Sequence, residues 1–310
     1  MLIEACQKCW LLTVNHFLCW LICALTISQI GKSYPLCFNG FFVFHLEAEL
    51  DKRKVIYYED ELNDEFSLAK ITPRKIDENY VYVHSSFFKK LTHFFWYRIV
   101  AMPIAFFYTK LKFHHKIVNK EVLKPYKRSG YFIYGNHTQD IGDAFMPNMF
   151  NITKDKYMIV HPNNVSMPVV GKISPSLGAL PLPDGMGAYR NFMKAIEHHI
   201  NKKHAIVVYP EAHIWPFYTK IRNFPDTSFQ YPIKYDVPAF CFTNTYQKRR
   251  LSKKPRIVTY IDGPFFPNKE LPLKEQRKDL RDRIYDCMCQ RAKKSEVTWI
   301  EYIKKDNDNG

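Results

Sequence analysis

Cysteine is scarce and lopsided in this chain: eight in 310 residues, with Cys6, Cys9, Cys19, Cys23 and Cys37 all near the start. That density excludes a disulfide scaffold, and the body, holding Cys241, Cys287 and Cys289, reads as cytosolic. Cys6 and Cys9 have zinc-type spacing, but no second pair or histidine follows at ligand distance, which argues against a metal there. There is no His-Glu-x-x-His and no Gly-x-Ser-x-Gly elbow. Gly171, Gly178 and Gly185 do not form a phosphate-cradling loop of recognised spacing. Low-complexity sequence is absent too, and 46% hydrophobic with 16% aromatic content excludes a disordered chain. Acidic side chains are outnumbered, 30 against 45 basic, for a net charge of +15. The excess favours an anionic partner without choosing among nucleic acid, an acidic membrane face and a phosphorylated small molecule.

The chain divides near residue 50. From Cys9 to Gly31 there is no Asp, Glu, Lys or Arg, and Trp10–Ile30 has about the length that spans a bilayer. Residues 1–50 therefore read as an apolar extension or membrane anchor. They hold two Lys against three Glu, which leaves 43 basic and 27 acidic side chains in residues 51–310. Residues 51–120 contain an aromatic segment, Phe87–Phe113, punctuated by Lys89, Lys90, Arg98, Lys110 and Lys112. Its uncharged runs are too short to span, and the mixture suits a helix lying in a membrane interface.

Residues 121–300 carry short apolar runs at 131–134, 157–160, 179–182, 205–209, 239–243 and 257–261, which predict buried strands. Helical spacing appears between them, in Phe192, Met193, Ile196 and Ile200 and again in Leu273, Leu280, Ile284 and Cys287. Alternation of the two predicts an α/β domain with a mixed, largely parallel sheet flanked by helices. Residues 301–310 read as a polar tail. Cys241, inside an apolar strand, reads as buried and inert. Adjacent pairs His114-His115 and His198-His199 make poor metal sites, because helical neighbours point apart.

Chemistry gathers at two strand ends. The run Tyr131–Tyr134 leads into Gly135-Asn136-His137, with Asp140 and Asp143 close behind, and 205–209 leads into Pro210-Glu211-Ala212-His213. In open α/β sheets ligands bind beyond the carboxyl ends of strands. A neutral imidazole there can take a proton from a hydroxyl if a carboxylate, Asp143 or Asp140, holds its other nitrogen.

Four blocks in order, Asn136-His137 with Asp143, Leu177–Pro183, Tyr209-Pro210-Glu211 and Asp236–Phe240, make residues 125–265 resemble the glycerol-3-phosphate and lysophosphatidate acyltransferase family. The resemblance implies an acyltransferase-like fold and a membrane-associated enzyme on the cytoplasmic face, peripheral or anchored through its amino terminus. It would move a fatty acyl group from acyl-CoA or acyl-carrier protein to a lysophospholipid or other lipid-precursor hydroxyl. His137 would be the base and Asp143 its orienting partner, with Asn136, Asp140, Pro210, Glu211 and His213 around the substrate. No cofactor beyond the acyl donor is implied. The family's phosphate-holding arginines are missing: its second block ends here in Pro183-Asp184 and its third continues Ala212-His213-Ile214. Arg190, Lys220 and Arg222 are the nearby substitutes. Basic residues 248–256 would favour anionic lipid, and they lack the aromatic interleaving of a nucleic-acid platform, so no nucleic-acid partner is expected. The competing expectation is a non-catalytic lipid-binding or scaffold protein on a degenerate acyltransferase fold.

Overall fold

The computed structural model describes residues 55–66, 72–83, 86–167, 170–250 and 252–305. The candidate anchor of residues 1–50 lies outside them, as do residues 306–310 of the tail. Among the described residues no helix is long and apolar enough to cross a membrane.

Seven strands form the main sheet: β2 (Lys116–Val118), β3 (Tyr131–Gly135), β4 (Lys156–Val160), β5 (Ala179–Pro181), β6 (Ala205–Val208), β7 (Ala239–Gln247) and β8 (Arg256–Phe265), in the order β2-β8-β7-β3-β6-β4-β5. Only the β7–β8 hairpin pairs antiparallel; the other neighbours are parallel. The sheet is thus mixed and mostly parallel, as the alternating pattern predicts. Its central strands β3, β6 and β7 are buried along their whole length, which is why β3, β6 and the first half of β7, Ala239–Phe242, read as continuous apolar runs rather than alternating ones.

Successive residues of a strand point to opposite faces, and the two faces serve separate cores. Phe132, Tyr134, Ile206, Val208 and Cys241 face one core. It is covered by the helices Met186–Asn201 and Leu273–Ala292, which bury Phe192, Ile196 and Ile200, and Leu280, Ile284 and Met288, at helical spacing. Tyr131, Ile133, Val207, Phe240 and Phe242 face the other, under Leu123 and Phe150. At the carboxyl end of β3, Gly135 is required by packing: a Cβ there would lie 2.0 Å from the ring of Phe242.

The aromatic segment is helical throughout, with α-wound stretches at α1 (Phe87–His93) and α2 (Met102–Phe107) and wider π winding at Phe94–Ala101 and Tyr108–Lys112. Tyr97, Ile104, Ala105 and Thr109 are buried against the body, whereas Phe87, Phe88, Leu91, Phe94, Phe95, Ile99, Phe106, Phe107 and Leu111 are exposed.

Residues 301–304, placed by composition in a polar tail, instead form β9 (Glu301–Lys304), parallel to β1 (Val55–Tyr58). Tyr302 anchors it, stacking on Trp215 with ring centroids 4.9 Å apart and donating its hydroxyl hydrogen to the Pro216 carbonyl. Those aromatic contacts, rather than local propensity, order this end of the chain.

Candidate active site

Two strand ends, parallel and adjacent in the sheet, bring the chemistry together. Beyond β3 the chain runs through Asn136 and His137 into the short helix α3 (Gly142–Phe145), which carries Asp143 in its first turn. The His137 ring Nδ1 lies 2.8 Å from Asp143 Oδ2. The same oxygen accepts the backbone N–H groups of Thr138 and Gln139, at 2.8 and 2.9 Å. Burial pushes the Asp143 carboxyl above its ordinary value, and the hydrogen bond from His137 pulls it back down. With Nδ1–H given to Asp143, the lone pair of the neutral ring sits on Nε2.

The other Asp143 oxygen, Oδ1, accepts from Asn244 Nδ2 at 3.3 Å. Asn244 Oδ1 accepts from the Thr259 hydroxyl at 2.6 Å, and Thr259 Oγ1 lies 2.7 Å from His115 Nε2. Burial holds the His115 imidazole neutral, its pKa lowered to about 3, so Nε2–H is the donor that completes the series. Every donor in this buried chain points toward Asp143, an arrangement whose members polarise one another.

Glu211, at the end of the β6 segment, ties the second strand end to the first. Its Oε2 accepts the His137 backbone N–H at 3.1 Å, and its Oε1 accepts the Arg222 N–H at 3.1 Å. Burial raises the Glu211 carboxyl, and the Arg222 guanidinium, 3.4 Å away, opposes that rise. The two following loops are also joined through backbone, with Trp215 N–H donating to the His137 carbonyl and Phe217 N–H to that of Thr138.

Several residues read as substrate-binding turn inward. Asn136 is buried and clamps β7, accepting from Asn244 N–H at 2.8 Å and donating to the Asn244 carbonyl at 3.1 Å. Glu211 is likewise buried and supports His137 from beneath. Arg222, read as a phosphate holder, is 1% exposed. Its guanidinium serves Glu211, the Glu61 and His213 carbonyls and the face of Trp215. Arg190 and Lys220 are exposed, and among the described residues nothing joins either to His137. His213 is half-buried, with Nδ1 3.1 Å from Glu65 Oε2. With Pro210 it lines a groove of about 680 Å³ that also takes in Leu62, Lys278 and Arg281 but neither His137 nor Asp143. Asp143, not Asp140, holds His137 Nδ1; among the described residues the buried Asp140 Oδ1 has no hydrogen-bond partner, and burial raises its carboxyl to about 6.

Sequence reasoning missed Tyr209 and Asn244. Tyr209 stood in plain view between an apolar strand and Pro210. Asn244 had a weaker signal, the polar run Thr243-Asn244-Thr245 continuing an apolar strand, all three fully buried.

No protein-family model matches the chain, and no curated protein matches it. Among solved structures, one that it is similar to is the 1-acyl-sn-glycerophosphate (LPA) acyltransferase PlsC from Thermotoga maritima. The two are 15% identical over a match covering 67% of this chain and 81% of that chain, with a TM-score of 0.45.

Proposed function

We propose that this chain is an O-acyltransferase that moves a fatty acyl group from an acyl thioester to a lysophosphatidate-like or other lipid-precursor hydroxyl. The observation that carries the reading is the His137–Asp143 pair at a strand's carboxyl end, with Nδ1 engaged by the carboxylate and the ring's lone pair left on Nε2. No enzyme nucleophile is needed for this chemistry. Nε2 takes the proton from the acceptor hydroxyl as its oxygen attacks the thioester carbonyl, and the C–O bond forms. The tetrahedral intermediate collapses with cleavage of the C–S bond, and the imidazolium returns its proton to the departing thiolate. Asp143 keeps the tautomer and offsets the positive charge on the ring while the proton is held there. Acyl-CoA and acyl-carrier protein both present the required thioester.

The exposed aromatic face of residues 87–112, with the exposed Lys89, Lys90 and Lys110 in the same segment, supports work at the surface of an anionic membrane, where a lysolipid acceptor resides. The test is transfer from labelled acyl-CoA or acyl-carrier protein into a panel of lysophospholipids and other hydroxyl acceptors. His137→Ala should lower kcat by about 10²–10⁴-fold, the range a positioned general base supplies. Transfer that survives this substitution, or no transfer to any acceptor by folded wild type, overturns the reading; the second outcome favours the scaffold alternative.

A further inference from the structure

A second cluster of reactive side chains lies away from His137, where the carboxyl-terminal helix packs on the β7–β8 hairpin. Cys241 on β7 and Asp262 on β8 are direct partners in the antiparallel register, which puts cross-strand side chains on one face of the sheet. Cys287 comes down onto them from the helix Leu273–Ala292, on the side that buries Ile284 and Met288. One ligand atom from each of the three residues lies within 4.8 Å of the others.

This juxtaposition is set by backbone register and helix packing, not by the choice of a long, free rotamer. It also places an acidic side chain at the edge of an apolar core, beside a thiol that is wholly buried. A carboxylate in such a place is costly unless it is paired. Arg291, one helical turn after Cys287, pairs it: Nε donates to Asp262 Oδ2 at 2.8 Å and Nη2 donates to Oδ1. A carboxylate oriented by a second residue, with two soft sulfur donors alongside, is the donor set of a zinc-type centre with an outer-shell hydrogen bond. Two thiolates, one carboxylate and one guanidinium sum to −2, the charge a divalent cation cancels. A tetrahedral zinc ion holds sulfur at about 2.3 Å and oxygen at about 2.1 Å, so its ligands stand roughly 3.5–3.8 Å apart. Closing the present set to that spacing needs shifts on the order of 1 Å. Asp262 and Cys287 are only partly buried, which leaves an entry path and room for water as a fourth ligand.

We propose that Cys241, Asp262 and Cys287 form a three-ligand site for a zinc-class divalent cation that pins the carboxyl-terminal helix to the β7–β8 hairpin. Cys289 is the internal control: two residues along the helix from Cys287 it lies on another side of the helix and is not one of the three clustered donors.

The experiment is titration of the reduced full chain with Co²⁺, read by thiolate-to-metal charge-transfer absorption in the near ultraviolet. Wild type and Cys289→Ser should each bind one equivalent with this band, and Zn²⁺ should displace the cobalt. Cys287→Ser should abolish the band, and Asp262→Asn should weaken binding by more than the roughly 10–100-fold that loss of an outer-shell partner typically costs. Zn²⁺ should also raise the thermal midpoint of wild type but not of Cys287→Ser, a readout that does not depend on the buried Cys241 tolerating substitution. Absence of the band in wild type, or its persistence in Cys287→Ser, overturns the proposal. So does loss of two thiols as a disulfide in protein that takes up no metal.

Discussion

The ring of Tyr209 lies on that of His137, with centroids 4.5 Å apart and planes 19° from parallel, while its hydroxyl donates to the backbone carbonyl of Asp143 at 2.6 Å. One side chain from β6's end thus touches both members of the pair on β3's end. The stack limits how the imidazole can tilt, and the hydrogen bond fixes the turn that presents the carboxylate.

Tyr209 is therefore a positioning residue, and two substitutions separate its two contacts. Tyr209→Phe keeps the stack and removes a hydrogen bond worth about 1 kcal/mol, so kcat should fall about fivefold with KM unchanged. Tyr209→Leu loses the ring as well and should cost a further factor of about 2–12, from the 0.5–1.5 kcal/mol that an aromatic pair contributes beyond area burial. Steady-state kinetics with a lysolipid acceptor checks both. A Tyr209→Phe enzyme with wild-type kcat removes the hydroxyl from the account.

What the sequence made legible follows from locality and burial. The strands β3 and β6 and the first half of β7 could be read because burial on both faces leaves uninterrupted apolar runs, as in Ala205–Val208. Strands β1 and β9 could not, because each is four residues with a single buried side chain, Ile56, between them, and their pairing joins positions such as Tyr58 and Lys304 that are far apart in sequence. At the site, His137 and Asp143 stood out as titratable groups leaving a strand together. The direction in which Asn136 and Glu211 face was hidden, since their partners Asn244 and Arg222 belong to other segments. Spacing shows which residues share a strand end; it does not show which of them point into the protein.

Ala212, the residue after Glu211, has a φ of +63°. For an L-residue with a Cβ this left-handed conformation is strained, whereas glycine adopts it freely. Ala212→Gly should accordingly stabilise the fold by about 0.5–1 kcal/mol, after allowing for the greater flexibility glycine gives the unfolded chain. Urea unfolding of the two proteins at one pH measures the difference. A destabilised glycine variant would mean that the alanine methyl contributes packing that outweighs the backbone strain.

Asp140 sets a pH dependence whose sign can be worked out. Burial raises its carboxyl from 3.8 to about 6, so between those values the folded protein holds a proton that the unfolded chain has released. Folding stability from this group is thus complete below about pH 4, declines as pH rises through 6, and is lost above it. The shift of about two units corresponds to about 3 kcal/mol at neutral pH. Asp140→Asn removes the ionisation, so the variant should be more stable than wild type at pH 7.5 by up to that amount, with the gap closing toward pH 4. Parallel denaturant titrations from pH 4 to 8 follow the difference. A gap that stays constant across the range would place its origin in packing rather than in charge.

The exposed face of residues 87–112 yields the prediction most directly tied to location. Phe88 and Leu111 are 76% and 72% exposed, at opposite ends of the helical segment, with Lys89, Lys90, Lys110 and Lys112 beside them. Transfer of an apolar side chain of this size out of water gains about 1.5–3 kcal/mol, and each lysine near an anionic surface adds about 1 kcal/mol. Replacing Phe88 and Leu111 together by serine should therefore lower partition into anionic vesicles by at least about tenfold. The substituted side chains are in solvent, so folding should be unaffected, which circular dichroism can verify. Charge and apolar contributions separate by salt: raising ionic strength weakens the lysine attraction, while the loss caused by the double substitution persists at high salt. Full-chain protein that partitions equally well with and without the two apolar side chains would assign lipid binding to another surface, and with it the approach of the acceptor to His137.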